Sequence, residues 1–239
     1  MNEMLLLNQL YNMDCMEGMK RFPDKYFELA IVDPPYGINA PKMKMGTNLN
    51  RKGGGSGIST AERMRKGRLN AGAGKLKNRA LQNMNCEWDF SPPGPEYFAE
   101  LRRVSQNQII WGGNYFDLPP TRGIICWDKV QPWENFSQVE LAWTSFDRPA
   151  ALFRYSTTGG ANAEKKIHPT QKPIALYKWL LQHYAKPGYK ILDTHAGSAS
   201  SLIACYDMEF GFIGFEIDET YFSLATERMG TFMSQMRMF

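Results

Sequence analysis

The sequence feature that most constrains the fold is a short apolar run that ends on an acid and two prolines. The run is ELAIVD, residues 28–33, and Pro34, Pro35 and Tyr36 follow it. An unbroken apolar run of this length predicts a strand that is buried on both faces, as strands of parallel sheets are. Proline fixes φ and restricts the residue before it to extended geometry, so the strand exit is stiff. The run therefore indicates a parallel sheet with a strand that ends on a rigid polar peptide.

The rest of the chain alternates between strand and helix patterns. In a helix predicted over 172–185, Ile174, Tyr177 and Leu181 share one face. The alternation predicts an α/β fold with a mostly parallel sheet, in a single domain over residues 1–239. The predicted strands are 4–12, 28–33, 107–112, 189–193 and 210–218, with others in a β-rich region over 123–160, and the predicted helices are 16–20, 94–105, 172–185 and 219–233, with one more after residue 200.

Several classes of protein are excluded by composition and motifs. The four cysteines form no CxxC pair and the three histidines show no metal-ligand spacing, so we expect neither a disulfide framework nor a metal site. No apolar run approaches the roughly 18 residues of a membrane span, and the N-terminus lacks the basic start of a signal peptide. The glycines before Lys75 make no phosphate loop, because Leu69 and Leu76 stand where that motif needs Gly and Ser or Thr. We therefore expect a cytoplasmic protein without a metal or a membrane partner.

Positive charge is concentrated in one segment. Residues 41–80 hold 11 of the 28 Lys and Arg residues and one of the 24 acidic residues, so the segment carries +10 and the rest of the chain −6. The segment is rich in Gly, Ser and Asn and has no apolar periodicity, which predicts a flexible loop over 41–85. Such a loop fits contact with the phosphate backbone of a nucleic acid, although a solvated linker has the same composition. The candidate DNA-contact residues are Arg51, Lys52, Arg63, Arg65, Lys66, Arg68, Lys75 and Lys77.

Two predicted strand ends have the chemistry of a ligand site. The first is ILDTHAGSAS, residues 191–200, where an acid closes a strand and small residues allow backbone N–H groups to approach a ligand. About twenty residues later the next strand ends on Glu216, which could accept hydrogen bonds from ribose hydroxyls. Only Gly197 stands in the loop, so a one-nucleoside cofactor fits better than a dinucleotide; a plain strand–helix turn is the alternative.

The second strand end is the proline exit itself. The Asp33 carboxylate and the Pro34 carbonyl are both acceptors, and neither proline offers an N–H. With the flat ring of Tyr36 beside them, these acceptors suit an exocyclic amine on a stacked base. A proline-rich strand exit without chemistry remains the alternative on these residues alone.

Together these segments resemble the S-adenosylmethionine-dependent DNA amino-methyltransferases, which act on adenine N6 or cytosine N4. DPPY, residues 33–36, matches the D/N/S-P-P-Y/F/W motif of that family, and DTHAGSASS, residues 193–201, is similar to its cofactor motif D-P-F-x-G-S-G-T-T. HPTQKPIALYKWLL, residues 168–181, is similar to the segment that precedes the cofactor motif. The departures are His195 where the family has Phe, and Ala199 where it has a second Gly.

The resemblance covers nearly the whole chain outside 41–85 and implies a Rossmann-like methyltransferase fold. The catalytic motif comes first, which resembles the circularly permuted order of the beta class. IIWGGNYF, residues 109–116, and CWDKVQPWENFSQVELAWTS, residues 126–145, resemble segments of phage-type members. A small target-recognition insertion, either 41–85 or 123–160, a double-stranded DNA substrate, a possible homodimer and a bacterial or phage-infected cell are implied as well. The implied catalytic residues are Asp33, Pro34, Pro35 and Tyr36, and the implied S-adenosylmethionine contacts are Asp14, Thr170, Lys172, Asp193, His195, Gly197, Ser198 and Glu216.

Three alternatives stay open at this point. Cytosine-N4 methylation uses the same fold and cofactor, but the acid at position 33 favours adenine, because cytosine enzymes of the family more often carry Ser there. RNA is a further possible substrate. A nucleic-acid-binding module that has lost catalysis is the alternative from another class, which the departures at His195 and Ala199 keep open and the intact DPPY motif disfavours. No restriction-nuclease motif is present, so we expect a stand-alone methyltransferase, with a separate nuclease partner left open.

Overall fold

The computed structural model describes residues 3–37, 91–131, 137–156 and 164–236. The described strands are β1 Gln9–Asn12, β2 Phe27–Val32, β3 Ser105–Trp111, β4 Ile124–Asp128, β5 Val139–Thr144, β6 Ala151–Arg154, β7 Lys190–Asp193 and β8 Gly211–Glu216. The described helices are α1 Cys15–Met19, α2 Pro95–Val104, α3 Ile174–Tyr184, α4 Ser200–Asp207 and α5 Glu219–Met236, with a 3-10 turn at Gly113–Tyr115.

These strands form one sheet in the order β1-β8-β7-β2-β3-β5-β4-β6. The pairs from β1 to β3 are all parallel, whereas β5 is antiparallel to both β3 and β4. From β2 the chain continues to its neighbour β3 on one side, and from β7 it continues to β8 on the other. The strand order therefore reverses between β2 and β7, and ligands of open α/β sheets bind at such a point.

Both faces of the central strand β2 are covered. Leu29 and Ile31 pack in a cluster with residues of α3, α4 and α5, whereas Ala30 and Val32 pack in a second cluster with residues of α1 and α2. All four side chains are at most 1% exposed. Burial on both faces explains why this strand is an unbroken apolar run rather than an alternating one. The predicted α/β fold with a mostly parallel sheet is confirmed.

The boundary of the first strand differs from the prediction. The sequence predicted a strand over 4–12, but the ladder begins at Gln9. Asn8 has a φ of 63°, and it exchanges hydrogen bonds with Phe212 through its backbone N–H and its side-chain oxygen. A residue in this left-handed conformation cannot continue a strand, so the leucines before it leave the ladder.

The β-rich region over 123–160 contributes β4, β5 and β6 to the same sheet in its described part. The predicted loop over 41–85, with all eight candidate DNA-contact residues, lies outside the described residues. Among the helices that are described, none is long and apolar enough to cross a membrane.

Candidate active site

A cleft of about 320 Å³ opens at the carboxyl ends of β2, β7 and β8. It lies where the strand order reverses, between Asp33 after β2 and the loop that follows Asp193 on β7. Of the twelve residues predicted for catalysis and cofactor binding, nine line it: Asp14, Asp33, Pro35, Thr170, Lys172, His195, Gly197, Ser198 and Glu216. The fold thus gathers residues that are far apart in sequence at one sheet edge.

Asp33 is held by two hydrogen-bond donors on the cleft wall. The hydroxyl of Tyr36 donates to its Oδ1 at 2.5 Å, and the ammonium of Lys172 donates to its Oδ2. Burial raises the pKa of Tyr36, so this phenol remains a donor at neutral pH. Pro34 is buried, and Pro35 reaches the cleft. The stiff exit therefore presents a carboxylate whose orientation is fixed from both sides.

The ring of Tyr36 already has an aromatic partner. It stacks on Tyr115 with ring centroids 4.9 Å apart and planes inclined by 15°. Tyr115 itself is 46% exposed. Gly112 has a φ of +69°, and a Cβ added there would lie 2.2 Å from Cε1 of Tyr36. Position 112 thus requires glycine for two reasons: its φ is positive, and the Tyr36 ring approaches it closely.

Lys172 lies beneath the cleft with its side chain 3% exposed. Its ammonium contacts two carboxylates, Asp33 and, at 3.1 Å, Oε2 of Glu140 on β5. Burial alone would lower the pKa of Lys172, but the two carboxylates outweigh burial and raise it. The sequence predicted a partnership with a cofactor carboxylate; in the structure the partners of this lysine are protein carboxylates.

Asp193 lies behind the loop 194–198, called the cofactor loop after its predicted role, rather than on the cleft wall. It is 2% exposed, and it accepts hydrogen bonds from the backbone N–H of His195 at 3.0 Å and from the Ser201 hydroxyl. Burial raises the pKa of its carboxyl to about 7. The side chain points into the start of α4 and supports the loop from behind, and the cofactor contact predicted for Asp193 stays a prediction.

Glu216, at the end of β8, closes the same loop from the neighbouring strand. Its Oε2 accepts the N–H of Gly197 at 2.8 Å, and its Oε1 accepts the N–H of Asp218 at 2.9 Å. Gly197 has a φ of +51°, which turns that N–H toward the carboxylate. Burial raises the pKa of the Glu216 carboxyl, while the two N–H donors oppose the rise. Each carboxylate oxygen keeps acceptor capacity for a ligand.

His195 is a half-buried side chain in the wall of the cleft. Burial lowers the pKa of its imidazole to about 4. The ring meets Tyr97 edge to face at 5.5 Å, and Nδ1 hydrogen-bonds with the Thr194 hydroxyl at 2.9 Å. A Phe at this position could make the same aromatic packing against Tyr97.

The remaining predicted cofactor residues are fixed by short-range contacts. Asp14 caps α1, because its Oδ1 accepts the N–H of Met16 at 2.8 Å. The hydroxyl of Thr170 hydrogen-bonds with Nδ1 of His168 at 3.1 Å, and Ser198 hydrogen-bonds with Ser200 at 3.1 Å. All three predicted residues are thereby held toward the cleft, which they line.

Two buried or half-buried charges near the site were missed. Arg228 of α5 donates to the backbone oxygen of Ser198 at 2.6 Å and pairs with Glu164 at 2.7 Å, so it braces the cofactor loop from behind. Glu140 pairs with Lys172. A signal for Glu140 was available: strand alternation places it on one face of β5 with the buried Ala142 and Thr144. Within the described residues, no group of three or more His, Cys, Asp and Glu side chains could hold a metal ion.

The sheet order, with its reversal between β2 and β7, is that of a Rossmann-like methyltransferase fold. Residues 110–227 match the family model of the DNA methylases. The chain is 32% identical over 81 residues to the type II methyltransferase M.HpaI of Haemophilus parainfluenzae, a match that spans 34% of this chain and 26% of that protein. It is 22% identical to the type II methyltransferase M2.MboI of Moraxella bovis, over 92% of this chain and 86% of that protein.

Two solved structures share the fold. The complex of M1.HpyAVI with S-adenosylmethionine has a TM-score of 0.53 at 19% identity and covers 92% of this chain and 98% of that one. The cytosine-N4-specific PvuII DNA methyltransferase has a TM-score of 0.53 at 13% identity and covers 94% of this chain and 90% of that one. Through this family match and these relatives, the chain is similar to the DNA methylases, the S-adenosylmethionine-dependent DNA amino-methyltransferases.

Proposed function

We propose that this protein methylates the N6 amine of adenine in double-stranded DNA, at a specific sequence. The observation that carries the proposal is the Asp33 carboxylate, which stands on the cleft wall opposite the loop 194–198 with its orientation fixed by Tyr36 and Lys172. A fixed acceptor at the switch point of the sheet is what an exocyclic amine needs if it is to be aligned for reaction.

The residues of the cleft fit S-adenosylmethionine. Glu216 has free acceptor capacity for ribose hydroxyls, and the exposed Asp14 also lines the cleft. The hydroxyl of Thr170, which lines the cleft, keeps hydrogen-bonding capacity for the polar methionine end. When bound, this cofactor supplies an electrophilic methyl group on a sulfonium. The protein's task is to hold the amine in line with that methyl.

The amine would be held by Asp33 and Pro34. The carboxylate and the carbonyl are acceptors for its two hydrogens, which aims the nitrogen lone pair into the cleft. As the nitrogen gains positive charge in the transition state, the Asp33 carboxylate stabilises it. In a duplex the N6 group is paired, so the adenine must leave the stack before it reaches this cleft. Tyr36 would then support the extruded base, which requires Tyr115 to move from its ring or to share it.

Cytosine N4 is the second candidate. A DNA methyltransferase with the same fold is cytosine-N4-specific. The acid at position 33 favours adenine, as the family resemblance implies. Nucleoside mass spectrometry of DNA methylated by the purified protein separates the two outcomes: N6-methyladenine supports the proposal, and N4-methylcytosine replaces it with the alternative.

The catalytic assignment is tested with Asp33→Ala, which removes the acceptor oxygens of the side chain. We expect methyl transfer from labelled cofactor to DNA to fall by roughly 10² or more, while cofactor binding by calorimetry persists. The matched control is Asp24→Ala, because Asp24 is an exposed carboxylate that pairs with Arg103 away from the cleft. Retained methylation in Asp33→Ala would contradict the assignment.

We propose in addition that the basic loop over 41–85 contacts the DNA backbone. Its concentration of charge in the sequence supports this proposal. Neutralising Arg63, Arg65, Lys66 and Arg68 together should weaken DNA binding and flatten its dependence on salt, because fewer counterions are released. An unchanged salt slope would make the segment a linker.

A further inference from the structure

Glu140 lies next to the ion pair of Asp33 and Lys172 but has no part in the functions proposed so far. It stands on β5, and its carboxylate contacts two ammonium groups: Lys172 at 3.1 Å through Oε2, and Lys129 through Oε1. Burial alone would raise the pKa of the Glu140 carboxyl, but the two lysines outweigh burial and lower it to about 2. Glu140 is therefore ionised at neutral pH.

The contacts form a row of alternating charges that ends in the cleft. The row runs from Lys129 through Glu140 and Lys172 to Asp33. The Lys172 ammonium has three N–H donors, and its partners are the two carboxylates and the Tyr36 hydroxyl at 3.3 Å. The contacts to Asp33 and Tyr36 are hydrogen bonds and the contact to Glu140 is an ion pair, and together the three hold the ammonium in position. The other ionisable groups around this row are Lys166, His168 and Tyr177.

The charge of this row matters for the reaction proposed above. Methylation of an amine places positive charge on the nitrogen that Asp33 holds, and a buried ammonium next to Asp33 opposes that charge. Glu140 offsets the ammonium at a distance of 3.1 Å. Without Glu140, Lys172 would have Asp33 as its one carboxylate partner in the row, and Asp33 would be neutralised in the ground state.

We propose that Glu140 is a positioning residue of the methyl-transfer reaction: it shares the Lys172 ammonium with Asp33, and so keeps the Asp33 carboxylate oriented and electrostatically available to the amine. The inference rests on the proposed function, since it assigns Glu140 to the same site. Glu140 acts through Lys172 and does not itself line the cleft.

The first test is Glu140→Gln, which keeps the shape and removes the charge. We expect kcat to fall roughly 10- to 100-fold, with KM for the cofactor within about 3-fold of the wild-type value. Glu140→Asp, which keeps the charge, should recover most of kcat. The matched control is Glu28→Gln: Glu28 pairs with Lys190 at 2.9 Å, and it lies on β2, at the opposite end of the strand from the cleft. Its loss should lower Tm and leave kcat unchanged.

The second test is a double-mutant cycle with Lys172→Met. If Glu140 acts through Lys172, Glu140→Gln should change kcat by less than about 3-fold in the Lys172→Met background. An equal loss in both backgrounds, or an unchanged kcat in Glu140→Gln with Lys172 present, would overturn the inference. Should the single variant fail to fold, the double variant, in which both buried charges are removed, is compared with Lys172→Met by the same criterion.

A readout independent of methylation separates this inference from the proposed function. The pKa of Lys172, followed by NMR of its side-chain ammonium, should fall in Glu140→Gln because one of its two carboxylate partners is lost. An unchanged pKa would show that Glu140 does not hold Lys172. A wild-type protein that methylates neither adenine nor cytosine would contradict the proposed function instead, whatever the titration of Lys172.

Discussion

Asp193→Asn offers a quantitative test of the buried carboxyl that supports the cofactor loop. Asp193 is 2% exposed, and burial raises its pKa from 3.8 to about 7. The nearby carboxylates Asp33 and Glu216 add to the rise, while the hydrogen bonds from Ser201 and the His195 N–H oppose it. The folded protein therefore holds a proton on Asp193 across a range of pH in which the unfolded chain has lost it.

The sign and size of the effect follow from that difference. Between pH 3.8 and pH 7 the native state binds more protons at this site than the unfolded state, so the free energy of unfolding falls as pH rises. The slope is about 1.4 kcal/mol per pH unit between these two pKa values and levels off just above pH 7, which gives a loss of about 3 kcal/mol between pH 5 and pH 8. Asn is neutral at every pH, so the variant removes this dependence.

The assay is urea unfolding of the wild type and of Asp193→Asn at pH 5 and pH 8. We expect the stability of the wild type relative to the variant to fall by about 3 kcal/mol between the two pH values. The comparison cancels the titration of other groups, including His168, whose pKa burial lowers to about 3. A stability difference that does not change with pH would refute the assignment of a raised pKa to Asp193.

Three further predictions concern the cleft. Glu216→Ala should weaken cofactor binding by roughly 10- to 100-fold in calorimetry with the fold intact, because hydrogen bonds to a charged acceptor are lost; unchanged affinity would contradict the ribose role. Gly112→Ala should lower both kcat and Tm, because the new methyl collides with Tyr36; Gly188→Ala is the control, since that glycine also has a positive φ, +86°, but no atom within 4 Å of the added Cβ. His195→Phe should gain about 3 kcal/mol relative to the wild type in urea unfolding as pH falls from 6.5 to 4, because burial lowers the imidazole pKa to about 4 and protonation then favours the unfolded state; a constant difference would contradict a neutral imidazole.

The part of the fold that could be predicted is the part in which local pattern and burial agree. The run 28–33 is apolar because β2 is buried on both faces, so its type and its end could be read directly. The helix predicted over 172–185 is observed as α3, and of the predicted face Tyr177 and Leu181 are buried and Ile174 is partly buried. Here the spacing of apolar residues is itself the cause of the packing.

The order of the strands near the far edge could not be predicted. β5 inserts between β3 and β4, so the sheet order there departs from the order in sequence. Periodicity reports which face of a strand is buried, and it carries no information about which strand lies next to it. For the same reason the sequence assigned Lys172 to a cofactor carboxylate: its protein partners Asp33 and Glu140 come from strands that only the tertiary fold brings together.

The same limit applies to the three carboxylates at this sheet edge, because the sequence does not reveal that their environments differ. Sequence shows only that Asp33, Asp193 and Glu216 each follow or end a strand. Placed on adjacent strands they repel one another, so each needs a different compensation. Asp33 has the Lys172 ammonium, Glu216 has two backbone N–H donors, and Asp193 retains its proton to a pH of about 7. Environments that separate carboxylates in this way also separate their functions. This supports the proposal that Asp33, which lines the cleft, is the carboxylate that acts on the amine.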